Sequence, residues 1–336
     1  MRLRLQRTMS RLSHLPVEPD HLRERVANVA RVARNRDGER DEAMRVHLFR
    51  QARRATPLLG VEEPDGVRYI VSTRDSAGVG FFTFVNGGAV EADLMNRLLD
   101  QLAERGAANS LHGMRVLELG ANIGTETVSM LVRLGADRVI AVEPDAENVR
   151  LLRANLALNG VEQRADVHHI AVSDVDGTLL LERSDANWGD HRIRVGEAPG
   201  VPRFGESTRG TIEVAARTVD SLVTDGVLEL DAIDLVWMDV QGHEAHVLAG
   251  ASSLAATSIP VLTEYWPYGL ERAGGLDRFH RLVAERYATV VDLHADTPEP
   301  PETLPADRVS ELVSRYVPSR TEARLAASTN LLLLSD

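Results

Sequence analysis

The sequence predicts an α/β protein: a Rossmann-like, seven-stranded sheet with helices on both faces, preceded by an N-terminal extension of helices and a β-hairpin. Three observations carry this expectation. From Met114 onward, short apolar runs alternate with helical stretches, the pattern of a parallel sheet joined by crossover helices. The first run flows into a glycine loop and the second ends in a glutamate, the layout of a nucleotide site. The chain has 336 residues, 43% of them apolar, which suits one large α/β domain plus an addition.

Taken in order, Leu22, Val26, Val29 and Ala33 fall at helical spacing over residues 20–34. Met44, Leu48 and Ala52 do the same over 41–55, where Thr56-Pro57 stops the helix. These helices form an arm over residues 1–60 with a charge balance of +7, against −19 for the rest of the chain. Residues 61–110 read as a hairpin, Val67 to Ser72 against Gly80 to Val85, and a lead-in helix from Glu91 to about Arg105. Residues 111–336 form the main domain. Its strands are expected at Arg115–Leu119, Arg138–Val142, Val167–Val172, Leu235–Met238, Pro260–Thr263, Thr289–Leu293 and Asn330–Leu334. Helices are expected at Thr125–Leu134, Ala146–Leu158, His243–Leu254 and Asp277–Tyr287, with a β-excursion over about 175–215.

Composition narrows the function. Cysteine is absent, which excludes thiolate metal sites and a cysteine nucleophile. The net charge of −12 argues against broad nucleic-acid binding, although the basic arm could meet an anionic partner. All 38 basic residues are arginine. No signal-like apolar stretch opens the chain, and no run of eighteen apolar residues occurs, so a cytoplasmic protein without a membrane span is expected.

The glycine loop reads Glu118-Leu-Gly120-Ala121-Asn122-Ile-Gly124-Thr125 and leads into a helix whose N–H groups point at the turn. Glu143 follows Gly120 by 23 residues and ends the second strand before Pro144, where a carboxylate can accept both hydroxyls of a ribose. A dinucleotide loop would carry glycine at positions 122 and 125 as well; this chain has Asn122 and Thr125. The pattern suits S-adenosylmethionine (SAM), which has no pyrophosphate to cradle.

Further motifs make the resemblance specific. After the loop and Val142-Glu143-Pro144 come Asn155-Leu-Ala-Leu-Asn159, Ala171-Val-Ser, Thr218-Val-Asp220-Ser-Leu, Met238-Asp239-Val-Gln241-Gly242-His243-Glu244 with Gly250, and Glu264. Over about residues 110–336 the chain resembles the FkbM family of SAM-dependent methyltransferases. Members usually carry glutamate where this chain has Gln241. The resemblance implies methyl transfer, most often to an oxygen of a small molecule such as a natural product or sugar.

Such a displacement needs alignment and, for a hydroxyl acceptor, removal of a proton. Asp239 ends the fourth strand and Glu264 the fifth, so both face the expected cleft; Asp239 is placed at the cofactor as well as at the chemistry. His243 is the third candidate base, with Glu244 beside it at a helix start. Cofactor contacts are expected from Glu118, Gly120, Ala121, Asn122, Gly124, Thr125, Glu143, Pro144 and Ala171. Acceptor contacts are expected from Trp188, Gln241, Tyr265 and Trp266, the last two with Tyr268 as an aromatic wall. Asp239, Glu244 and Glu264 could also offer three oxygens to Mg²⁺, although a metal-free site is expected. The rival readings are a nicotinamide-dependent oxidoreductase and a non-catalytic binding protein that keeps the fold; a homodimer is compatible with either.

Overall fold

The computed structural model describes residues 41–89, 91–106, 110–196, 204–294, 299–316 and 328–335. The chain divides into two compact units, Met1–Gln51 and Ala52–Asp336. In the first unit the described residues are helical from 41, in line with the spacing of Met44 and Leu48; the helix expected over 20–34 lies outside the described residues.

Its first element is a hairpin, but with different arms from those expected. Leu58–Glu62 pairs antiparallel with Arg68–Ser72, and the turn between them contains Gly66 at φ +90°. The segment read as the second arm is a helix, Val79–Asn86. Its Phe-Phe-Thr-Phe-Val run favours strands, yet its boundaries favour a helix. Asp75 Oδ2 accepts the N–H of Gly80 at 2.6 Å, and Gly87, left-handed at φ 78°, closes the far end onto Thr83. The lead-in helix runs from Ala92 to Glu104 and buries Leu94, Leu98 and Leu102, one face at four-residue spacing.

The main sheet has eight strands: β1 (Arg115–Leu119), β2 (Arg138–Val142), β3 (Ala165–His168), β4 (Leu235–Met238), β5 (Val261–Tyr265), β6 (Thr289–Asp292), β7 (Glu302–Pro305) and β8 (Thr329–Leu334). Their order is β7-β6-β8-β5-β4-β1-β2-β3. Strands β1 to β5 are mutually parallel, and β8 inserts antiparallel between β5 and β6. The order reverses between β1 and β4, so a crevice opens at their carboxyl ends, where doubly wound sheets bind ligands. The unexpected strand is β7, whose neighbourhood Pro298-Glu-Pro-Pro-Glu-Thr-Leu-Pro305 lacks a strand pattern. It lies at the sheet edge, where proline costs no ladder hydrogen bond.

The expected third strand breaks in two. After β3 the chain leaves the sheet, and Ala171–Val172 pairs instead with Ala216–Arg217. Gly210–Arg217, Gly177–Arg183 and Arg192–Ile193 complete this second, four-stranded sheet, which is the β-excursion. The expected helix over His243–Leu254 is also two, Glu244–Ala249 and Ser252–Ala255. Gly250 lies between them against the Ser173 carbonyl, with no room for a Cβ. Asp220 then caps the second piece, accepting from the Ser252 and Ser253 N–H groups at 3.0 and 2.7 Å.

Two asparagines tie the hairpin to this framework. Both lie on the helix Ala146–Leu158 or its cap. Asn155 Oδ1 accepts the Ile70 N–H at 2.6 Å, and its Nδ2 donates to the Ile70 and Ile123 carbonyls. One turn on, Asn159 accepts from the Arg68 N–H at 2.9 Å and donates to the Arg68 carbonyl at 2.7 Å. The amides thus serve as a strand edge for residues 68–70 and link the hairpin to the loop after β1.

Candidate active site

The crevice at the switch between β1 and β4 is lined by Glu118, Gly120, Asn122, Glu143, Pro144, Ala171, Trp188, Asp239, Gln241 and Glu264, all expected from the sequence. Ala121, Gly124 and Thr125 lie behind the loop and are buried. The loop is held from within. Gly120 and Ala121 donate their N–H groups to the Val142 carbonyl, Asn122 to Glu143 Oε2 at 2.9 Å, Ile123 to Asn122 Oδ1 at 2.8 Å, and Gly124 to Ala121. Residues 120–124 therefore spend their N–H groups on the protein. A pyrophosphate would find no cradle here, which weighs against the dinucleotide reading. Gly120 has φ +93° and presses against the Asp239 carbonyl, so both its backbone angle and its missing Cβ are required.

Glu143 is buried at the tip of β2. Its carboxylate accepts from the Asn122 and Asp145 N–H groups at 2.9 and 2.8 Å, and burial pushes its pKa up to about 7. Behind it, Asp145 caps the following helix and pairs with Arg183 at 2.9 Å. Glu118, buried on β1, accepts from Thr127 Oγ1 at 2.5 Å, and burial raises its pKa well above the usual range.

Trp188 reaches the crevice from the excursion. Its carbonyl accepts from Asn122 Nδ2 at 3.1 Å and Asn148 Nδ2 at 3.4 Å, and its N–H donates to Asp75 at 2.9 Å. The excursion is thereby fastened across the β1 and β2 loops. Asn148, His191 and Glu126 also line the crevice and were missed by the sequence reading. His191 Nδ1 accepts the Ser184 N–H, its buried Nε2 has no hydrogen-bond partner among the described residues, and burial lowers its pKa to about 4. Asn148 alone had a legible signal, since it lies one helical turn beyond Pro144-Asp145.

At the far side three carboxylates converge. The nearest oxygens of Asp239, Glu244 and Glu264 lie within 4.8 Å of one another. Gln241, at φ +56°, donates Nε2 to Asp239 at 2.7 Å and to Glu264 at 3.2 Å. Glu244 Oε1 accepts from the Val240 and Gly242 N–H groups, while its Oε2 is buried without a partner among the described residues. Burial raises all three pKa values, that of Glu244 to about 8, and for Glu264 the proximity of Asp239 and Glu244 adds to the rise. Such a group can hold a proton, take one from a hydroxyl, or share a divalent cation.

Three expected site residues stand outside the crevice. His243 does not line the crevice but the neighbouring cavity beyond Gln241; its Nε2 bonds Ser173 Oγ at 2.8 Å, its ring stacks on His246, and burial lowers its pKa to about 3. Tyr265 lies in the core, its hydroxyl on His280 at 2.9 Å and its ring against Phe279. The reason is strand alternation: with Glu264 facing the crevice, its neighbour Tyr265 must face away. Trp266 likewise stands outside the crevice, under the Arg192 guanidinium at 4.5 Å and beside Phe204 and Tyr268.

The fold and the crevice define an α/β protein with a doubly wound sheet and an open cleft at its switch point. More particularly, residues 118–272 match the family described as the methyltransferase FkbM domain. It is similar to the 2-O-methyltransferase NoeI of Sinorhizobium fredii (strain NBRC 101917 / NGR234), 28% identical over 159 residues, which are 45% of this chain and 62% of that protein. The chain thus spans less than two-thirds of that relative's length. Similar solved structures include the methyltransferase FkbM from Methylobacillus flagellatus KT, with 18% identity, coverage of 66% of this chain and 43% of the other, and a TM-score of 0.38. Another is the O-methyltransferase TomG from Streptomyces achromogenes, involved in tomaymycin synthesis and in complex with SAM, with 15% identity, coverage of 74% and 83%, and a TM-score of 0.39.

Proposed function

We propose that the protein is a SAM-dependent methyltransferase acting on a hydroxyl oxygen of a small molecule, a natural product or a sugar. The observation that carries the reading is the pairing, in one crevice, of a ribose-type acid with a cluster of proton-accepting carboxylates. Glu143 and Asn122 stand at one end, and Asp239, Gln241 and Glu264 at the other. The residues fit SAM. The two Glu143 oxygens, each holding a backbone N–H, keep lone pairs for ribose hydroxyls, and a His191 Nε2 without a hydrogen-bond partner among the described residues lies on the same wall.

When bound, SAM supplies an electrophilic methyl group on a sulfonium. Asp239 would accept the acceptor's hydroxyl proton, the contribution this chain's own residues make to methyl transfer. Gln241 fixes the Asp239 carboxylate in position, and Glu264, whose proton is held by burial and by its acidic neighbours, takes no negative charge beside it. Trp188 covers the cofactor through its tie to Asn122. No step requires a metal, although the three carboxylates would accommodate Mg²⁺.

The test is thermal denaturation with SAM, S-adenosylhomocysteine or NAD, followed by acceptor-dependent release of S-adenosylhomocysteine. Stabilisation by the first two alone, with turnover, is expected. Stabilisation by NAD would revive the oxidoreductase reading, and SAM binding without turnover of any hydroxylated acceptor would favour the binding protein.

A further inference from the structure

A second cavity adjoins the crevice. Gln241 and Ile193 line both, so these two residues form the boundary between the spaces, and Gln241 is bonded to Asp239. The second cavity is walled by charge: Arg192, Arg194 and Arg272 with Glu182 and Glu206. Arg192 bonds Asp190 and Glu206, Arg209 bonds Asp190, and Arg272 bonds Glu182 at 2.8 Å and Glu206 at 3.2 Å. The Arg192, Arg209 and Arg272 guanidiniums therefore meet the Asp190, Glu182 and Glu206 carboxylates, with Arg209 and Asp190 standing behind the wall. Arg194, 38% exposed at the rim, adds a fourth guanidinium and shares Glu182. Among the described residues the wall thus carries one positive charge beyond balance. It also holds a buried donor, Arg192 Nη2, with no acceptor. A buried N–H donor without an acceptor is unfavourable, and an anionic oxygen in the cavity would satisfy it.

We infer that this cavity is the acceptor subsite and that the methyl acceptor carries an anionic group, a carboxylate or a phosphate, held by Arg192 with Arg194 and Arg272. This rests on the methyltransferase reading and sharpens it. The acceptor lies across the Gln241 boundary with its hydroxyl toward Asp239 and its anion toward the arginines. The charge pattern fixes that polarity: the acidic end of the combined space would repel the anion, and the guanidinium end would not remove a hydroxyl proton. Arg192 is poised for the role by its neighbours, since its guanidinium lies over the Trp266 and Phe204 rings.

The full chain, saturated with S-adenosylhomocysteine, is titrated calorimetrically with inorganic phosphate and with malonate at constant ionic strength. Saturable binding of one or both is expected, and the stronger ligand tells a phosphorylated acceptor from a hydroxy acid. Arg192→Gln should weaken it by about tenfold or more, as loss of a charge-assisted contact does, with S-adenosylhomocysteine affinity unchanged. Arg194→Gln, at the exposed rim, should weaken it in the same direction and guards against misfolding of the first variant. Absence of saturable binding, or binding that both variants leave intact, would overturn the inference. Failure of the wild-type chain to bind S-adenosylhomocysteine would instead strike the methyltransferase reading beneath it.

Discussion

Gly120 and Asp239 meet backbone to backbone: the α-carbon of the first lies so close to the carbonyl of the second that no side chain fits between them. The contact joins the loop after β1 to the tip of β4, so the cofactor end and the carboxylate end of the crevice are set by one approach. Gly120 is also held at φ +93°, a backbone region that side-chain-bearing residues rarely enter. Gly120→Ala should therefore lower the melting temperature substantially, by ~2 kcal/mol or more in stability, and abolish cofactor binding. A variant with wild-type melting and wild-type SAM affinity would show that the two strand tips need not touch.

Glu143 gives a second prediction, with a pH dependence. Glu143→Ala should weaken SAM binding by ~1.5–3 kcal/mol, the range for losing a hydrogen bond to a charged group. Ribose hydroxyls donate to the ionised carboxylate, and burial holds the free protein's pKa at about 7. SAM affinity should accordingly fall as pH drops from 8 to 6. Stability runs the other way. The pKa is raised on folding from 4.5, so the folded state binds more protons across that window, and Glu143's contribution is lost as pH rises from about 4.5 through 7. Comparing Glu143→Gln with wild type across pH isolates the effect from His191 and His243, whose lowered pKa values make acid destabilising. An SAM affinity in Glu143→Gln with the same pH slope as wild type would remove Glu143 from the ribose.

The basic arm should be separable from cofactor binding, but only if the cut respects the hairpin. A chain beginning at Ala52 retains Leu58–Glu62 and should bind SAM; one beginning at Val67 loses that strand. Arg68 to Ile70 would then rest on Asn155 and Asn159 alone, and the loop carbonyl of Ile123, which also depends on Asn155, would loosen. Proteolysis and SAM titration of the two chains distinguish them. Equal affinity in both would mean that the asparagine pair suffices.

What could be read from sequence follows from how local each signal is. Strands β1, β2 and β4 are apolar runs stopped by a glycine, a glutamate-proline and an aspartate, and their expected bounds match the structure at every residue. The cofactor loop and Glu143 were legible for the same reason. Strand β7 was hidden because an edge position tolerates the prolines that argue against a strand, and the helix Val79–Asn86 because its caps outweighed its β-favouring run. Tyr265 was legible and misread, since two-residue alternation already opposed it to Glu264. His243 could not be assigned: which way it turns is decided by Ser173, seventy residues away, and by the ring of His246. His191 and Arg192 sit in the excursion, where only the pairing of strands brings them to the crevice and the second cavity.

The chemistry turns on Asp239. It ends β4 in a crevice wall with Gln241 fixed to one oxygen and Glu264 and Glu244 close by. Asp239→Asn keeps the side chain's shape and hydrogen-bonding capacity but removes the charge that would receive the acceptor's proton. Turnover should fall by at least ~10²-fold, the low end for general acid–base work, while SAM affinity changes little. Burial raises the pKa of Asp239, so the rate should climb with pH as this carboxyl ionises, and that limb should vanish in the variant. Gln241→Glu is the complementary change. It adds a fourth acid to the cluster and removes the Nε2 donor shared by Asp239 and Glu264, so the pH limb should move upward. Chelation distinguishes a proton acceptor from a metal ligand: loss with EDTA and rescue by Mg²⁺ would assign the three carboxylates to a cation, whereas an indifferent rate leaves Asp239 as the base. Near-normal turnover in Asp239→Asn would reduce Asp239 to a support for Gln241 and move the search for the base to Glu264.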